Sequence, residues 1–135
     1  MALFARKHSY DKLADIPFFD GWTNDELAQV DRVADYVTYT AGEALIKQGT
    51  TGYEFIVILE GEVDVKVDGD VIATLGPGDH VGEMALLSNN PRNATVVAKD
   101  KVRALLVGAR EFRALVDTSP SLDRKLLTSL IARAR

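Results

Sequence analysis

Glu62-Val63-Asp64-Val65-Lys66-Val67-Asp68, followed by Gly69 and then Val71-Ile72-Ala73-Thr74-Leu75, is the stretch on which the fold class turns. Valine alternates with charge without a fault from 62 to 68. The side chains of a strand point to opposite faces in turn, so such a run has one buried and one wet face. Asp68-Gly69 supplies the left-handed pair that a tight hairpin requires, and a second apolar run follows it. Upstream, Gly61 separates this hairpin from Phe55–Glu60, an apolar run of strand length. Further strands are predicted at Val37–Thr40, Ala44–Ile46, Ala94–Ala98 and Val102–Val107. Seven or more short strands, with turn residues every eight to twelve positions, indicate a sandwich or β-roll.

Helical signals flank this block. Thr23-Asn24-Asp25-Glu26 has the spacing of a capping box, and Leu27, Val30, Val33 and Ala34 follow at helical intervals, predicting a helix over 24–35. Before it, Leu13, Ile16, Phe18 and Phe19 form an apolar patch in which Pro17 limits helix growth. After the strands, Arg110–Asp117 carries Phe112, Leu115 and Val116. Ser119-Pro120 then provides an N-cap and a first-turn proline for a last helix, with Leu122, Leu126, Leu127, Leu130 and Ile131 as its apolar stripe. The expected organisation is a single domain: a helical segment over 1–35, a roll over 36–108 and closing helices over 109–135.

Composition narrows the function. The chain has 135 residues, and its net charge of −4 disfavours nucleic acid as the main ligand, because phosphate backbones select basic faces. There is no cysteine, which removes thiol nucleophiles, thiolate metal sites and disulfides. His8 and His80 are the only histidines, too few for a metalloenzyme of the cupin kind. The longest apolar run, Phe55–Leu59, is far below a membrane span, and no secretory segment is recognisable. A cytoplasmic location, without membrane insertion, is the expectation.

The chemistry is concentrated in Gly76-Pro77-Gly78-Asp79-His80-Val81-Gly82-Glu83-Met84-Ala85-Leu86-Leu87-Ser88-Asn89-Asn90-Pro91-Arg92-Asn93-Ala94-Thr95-Val96. A glycine-bounded turn opening a short helix offers backbone N–H groups to an anion. Arg92 adds a permanently charged planar donor suited to phosphate oxygens. Glu83 would repel that anion unless it accepts from hydroxyls of the same ligand, and a phosphorylated sugar carries both groups. Asp79 suits the turn, so its pairing with Glu83 as hydrolytic carboxylates is disfavoured. His80 is expected as a solvated turn residue. Gly49-Thr50-Thr51-Gly52 reads as turn chemistry, since the Gly-Lys-Ser/Thr of a P-loop does not follow.

G-D-x-x-G-E-x-A-L-L followed by P-R-x-A-T-V resembles the phosphate-binding cassette of cyclic nucleotide-binding domains. That module is shared by catabolite-activator-type regulators, cAMP-dependent kinase regulatory subunits and nucleotide-gated channels. Ala41-Gly42-Glu43, Ile46-x-Gln48-Gly49 and Phe55-x-x-Ile58-x-x-Gly61-x-Val63 match the family's glycine pattern, so the resemblance covers most of the chain. It implies a mainly β fold: an eight-stranded antiparallel β-roll (a jelly roll) with N-terminal helices, a short internal cassette helix and two C-terminal helices. It implies further that Glu83 accepts from the ribose 2′-hydroxyl and that Arg92 pairs with the cyclic phosphate. The amides of Ala85 and Asn93 would donate to the same phosphate, Gly82 would admit the sugar, and Met84 and Val96 would line the base pocket. Leu130 or Arg133 would reach the base from the last helix.

Two departures stand out. Asn93 replaces the usual Ala, Ser or Thr after the arginine, leaving cAMP favoured and cGMP open. Val81 replaces the usual aromatic before Gly-Glu. The resemblance implies no enzyme, no metal and no cofactor beyond the nucleotide ligand. Output would pass to a protein partner or a second copy. The rivals are a roll that has lost its ligand and serves as a scaffold, and the sensor half of a transcription regulator. The latter needs a helix-turn-helix after the roll, which this sequence does not contain.

Overall fold

The structure of the protein is a computed structural model that describes residues 13–82 and 91–132, with only the backbone for 130–132. It opens with a 3-10 turn, Pro17–Phe19, and helix α1, Asn24–Val33. Eight strands follow: β1 Asp35–Tyr39, β2 Ala44–Ile46, β3 Glu54–Glu60, β4 Val63–Val67, β5 Asp70–Leu75, β6 His80–Val81, β7 Thr95–Ala98 and β8 Val102–Gly108. Helices α2, Ala109–Thr118, and α3, Pro120–Ala132, close the described chain. The strands form two four-stranded antiparallel sheets, ordered β1-β8-β3-β6 and β2-β7-β4-β5. The mainly β roll of two sheets is the architecture that the sequence implied.

β3 and β8 explain the layering. Phe55 and Val57 point to the helices, whereas Ile56 and Ile58 point to the second sheet. In β8, Leu105 and Val107 take the helix side, and Val102 and Ala104 the sheet side. Because β3 is covered on both faces, its sequence is a continuous apolar run rather than an alternating one. β4 is covered on one face only. Val63 and Val65 pack inward, while on the outer face the Thr74 hydroxyl donates to the Asp64 carboxylate at 2.8 Å. Alternation in sequence becomes one-sided burial.

The hairpin after β4 forms as expected, with φ of +52° at Asp68 and +88° at Gly69, the left-handed pair of a type I′ turn. Gln48 grips it twice: its amide nitrogen donates to Asp68 Oδ1 and its carbonyl oxygen accepts from Asp68 N, both at 2.9 Å. In the β4–β5 ladder, pairing steps from Val65↔Ala73 to Lys66↔Val71, so Ile72 is the extra residue of a bulge on an edge strand.

The helical layer is fastened by buried polar groups as well as rings. The capping box is present: Thr23 Oγ1 accepts from Glu26 N at 3.2 Å and Glu26 Oε1 accepts from Thr23 N at 2.7 Å. Glu26 is only 5% exposed and also accepts from the Ser121 hydroxyl and the Lys125 ammonium, each at 2.8 Å. Burial alone would raise the Glu26 carboxyl, but Lys125 and the Thr23 and Ser121 donors outweigh it and hold the group at about 2. Lys125 donates in addition to the Gly21 carbonyl at 2.5 Å, and Trp22 Nε1 donates to the Ser129 hydroxyl at 3.1 Å. α1 and α3 are thereby tied across about a hundred residues of sequence.

Several sequence expectations are corrected. α1 ends at Val33 and β1 begins at Asp35, because the helical pattern and the strand share the Val33–Tyr36 region. His80 is not a solvated turn residue. It lies in β6, paired to Val57, with its ring 4.8 Å from Phe18 and 5.5 Å from Phe55. An imidazole supplies an aromatic edge there, and the turn belongs to Asp79, whose carboxylate accepts from Gly76 N at 2.9 Å. Leu127 leaves the apolar stripe of α3 at 58% exposure. The buried line runs Leu122, Leu126, Ser129, the spacing that keeps one helical face on the core.

Candidate functional site

The backbone around Arg92 is fixed by a short antiparallel clasp. Gly49 N donates to the Arg92 carbonyl and Arg92 N donates to the Thr50 carbonyl, both at 2.8 Å, with a further bridge between Thr51 and Pro91. Gln48 N donates to Thr95 Oγ1 at 2.9 Å just beyond. The 47–52 loop is therefore the platform for the arginine.

The side chain of Arg92 runs through a slot between two glycines. A methyl group at Gly52 would sit 1.8 Å from Arg92 Nε, and one at Gly82 would sit 2.7 Å from Nη1 and 2.7 Å from the Glu54 carbonyl. Gly82 also has a φ of +80°, a conformation that other residues adopt with strain. At the end of the slot, Nη2 donates to the Glu54 carbonyl at 2.8 Å and lies 3.7 Å from Glu54 Oε2. The Arg92 side chain is only 9% exposed, whereas that of Glu54 is 50% exposed. A cation so deeply set acts through a lower dielectric than a surface arginine does, which strengthens its pull on an anion.

Consecutive strand carbonyls point in opposite directions, and the start of β3 uses both. The Glu54 carbonyl holds Arg92, while the Tyr53 carbonyl accepts from Ala109 N at 2.6 Å, the first residue of α2. The cation and the helical layer thus share one dipeptide. The charge of Glu54 also reaches the inner side of β1: the Tyr39 phenol is pushed up by burial first, then by Glu54 and Glu43. A groove of about 870 Å³ runs beside α2, lined by Tyr53, Glu54, Arg110, Arg113 and Asp117 among others. Arg92 is not among its lining residues, but Glu54 is shared between this groove and the arginine slot.

Of the residues singled out in the sequence, Gly82 and Arg92 are brought into contact. Asn93 is exposed beside them, and Val96 is 2% exposed in the core between the sheets, opposite Ile46 and Val65. Glu83, Met84, Ala85, the short cassette helix and Arg133 lie outside the described residues, as does the Leu130 side chain. The sequence reading missed Gly52 and Glu54. Gly52 was indistinguishable from an ordinary turn glycine, and Glu54 from a charge at a strand start. Among the described residues, no group of three or more acidic or histidine side chains could hold a metal ion, and no helix is long and apolar enough to cross a membrane.

Residues 36–119 match the cyclic nucleotide-binding domain family. The chain belongs to that family. The match runs from β1 to the end of α2 and contains the whole arginine slot. A cAMP-dependent protein kinase regulatory subunit of Mycosarcoma maydis is 37% identical over 121 residues, covering 82% of this chain and 23% of the relative. The chain thus spans about a quarter of that relative's length. The crystal structure of a cyclic nucleotide-binding domain from Methylobacillus flagellatus superposes with a TM-score of 0.85 at 25% identity, covering 95% of this chain and 76% of that one. The regulatory subunit of a cAMP-independent protein kinase A from Trypanosoma brucei superposes with a TM-score of 0.78 at 32% identity, covering 91% and 46%. The cyclic nucleotide-binding fold is present in this chain.

Proposed function

We propose that this domain binds cAMP, in preference to cGMP, as a regulatory sensor and signals by repositioning α3. The observation that carries the reading is Arg92, a nearly buried cation threaded between Gly52 and Gly82 in a chain of this family. Its guanidinium neutralises the cyclic phosphate, with the amides of Ala85 and Asn93 donating alongside. Glu83 accepts from the ribose 2′-hydroxyl, Gly82 admits the sugar, Met84 lines the base pocket and Val96 backs it from the inter-sheet core. The name of the Mycosarcoma maydis relative, a cAMP-dependent protein kinase regulatory subunit, supports cAMP as the ligand. The shared Tyr53-Glu54 dipeptide gives a path from the phosphate to α2 and on to α3, and from there to a protein partner or a second copy. A change of this kind requires that the ligand bind two arrangements of the helices unequally.

Calorimetric titration with cAMP, cGMP, 5′-AMP and a cyclic dinucleotide tests the ligand. Arg92→Ala is expected to weaken cyclic nucleotide binding about 30-fold or more, the loss of a charge-assisted contact at about 1.4 kcal/mol per decade. Unchanged affinity would remove Arg92 from the site. Amide exchange across 120–132 that is the same with and without nucleotide would remove the switch. A second reading, a ligand-free scaffold, is favoured by one finding: a relative of similar fold is a subunit of a cAMP-independent kinase. Absence of binding by every nucleotide tested selects that reading.

A further inference from the structure

We propose that Glu54 is a specificity-determining residue that makes this site favour singly charged phosphodiesters over doubly charged phosphomonoesters. The inference rests on the reading above that Arg92 receives the ligand phosphate.

The carboxylate is not needed to place the guanidinium. The backbone carbonyl of the same residue already does so at 2.8 Å, and the slot between Gly52 and Gly82 fixes the rest of the side chain. Glu54 Oε2 nevertheless stands 3.7 Å from Nη2, so a phosphate drawn to Arg92 comes within a few ångströms of a second negative charge. The repulsion grows in proportion to the charge on the ligand. A cyclic diester carries one negative charge, whereas a monoester near neutral pH carries about 1.5 to 2. Hydrolysis of a cyclic phosphodiester opens the ring to a monoester, so Glu54 discriminates between the closed ligand and its own ring-opened product by charge.

Glu54→Gln isolates this effect, because it removes the charge and keeps the backbone carbonyl that holds Arg92. Wild type, Glu54→Gln and Glu54→Ser are titrated with cAMP and 5′-AMP at 50 and 500 mM salt. Both variants are expected to tighten 5′-AMP about two- to fivefold more than cAMP at low salt, the size of a partly exposed charge interaction. The difference narrows at high salt. Without ligand, the Tyr39 phenol titrates lower in Glu54→Gln than in wild type. Equal changes for the two ligands, or weaker binding of both, overturn the proposal and make the carboxylate a positioning group. Wild type that binds cAMP with a selectivity the variants leave unchanged sinks the charge filter alone. Wild type that binds neither ligand sinks the phosphate reading and the filter with it.

Discussion

The two sides of β3 and β8 are packed by different chemistry. Toward the helices stand Phe18, Phe19, Trp22, Phe55 and Phe112, with ring centres 4.9 Å apart for Phe18 and Phe55 and 5.0 Å for Phe19 and Trp22. Toward the second sheet stand Ile46, Ile56, Ile58, Val63, Val96, Ala98 and Ala104, and among the described residues no ring is in the buried part of that cluster. The aliphatic side is closed by backbone ladders on every strand, so small branched side chains suffice to fill it. The helical side has no ladder to close it. Large rings and the Glu26–Ser121–Lys125 cluster fasten it instead. The roll, closed by these ladders, carries the arginine slot. The helical layer is held mainly by side chains, with one backbone bond from Ala109 N to the Tyr53 carbonyl.

Truncating a ring tests the first half of that contrast most severely. Phe55→Ala is expected to cost about 3–5 kcal/mol in denaturant unfolding, since Phe55 is fully buried and its ring lies near those of Phe18, His80 and Phe112. A loss below about 1 kcal/mol would mean that the rings do not fasten the layer.

Next is the charge cluster. Glu26 is depressed from 4.5 to about 2 in the folded protein, so its contribution is complete above the ordinary carboxyl value and declines as pH falls toward 2. Glu26→Gln should therefore cost on the order of 3 kcal/mol at pH 7, and the gap to wild type should shrink as pH drops from 5 toward 2. A gap independent of pH would show that packing, not charge, is at stake.

Gly52→Ala separates the roll's function from its stability. The new methyl group would collide with Arg92 Nε, Cζ and Nη2, at 1.8, 2.3 and 2.5 Å. Cyclic nucleotide affinity is expected to fall about tenfold or more, the range of one charge-assisted bond, while the unfolding midpoint moves little. A large stability loss with intact binding would reverse the assignment of the slot. The smallest effect is expected at Ser129→Ala, which deprives Trp22 Nε1 of its acceptor and should cost about 1 kcal/mol. If it costs nothing, the Trp22–Ser129 bond adds no hold on α3.

The sequence displayed the strands well where burial is one-sided or complete. The valines of β4 and the unbroken run of β3 read directly, because side-chain period and burial are the same information there. β6 was not legible. It is two residues long, His80 and Val81, and exists because β3 pairs with it. Arg92 and Gly82 were legible through their spacing in the cassette. Gly52 and Glu54 were not, because what singles them out is proximity to Arg92 across about 40 residues of chain. The capping role of Glu26 was plain from Thr23-x-x-Glu26, while its second role depends on Lys125, far along the sequence.

Leu13 and α3 sit in one stratum, on the same flank of β3 and β8. Mechanical tension applied through sequence attached near residue 13 or residue 132 is consequently borne first by that stratum.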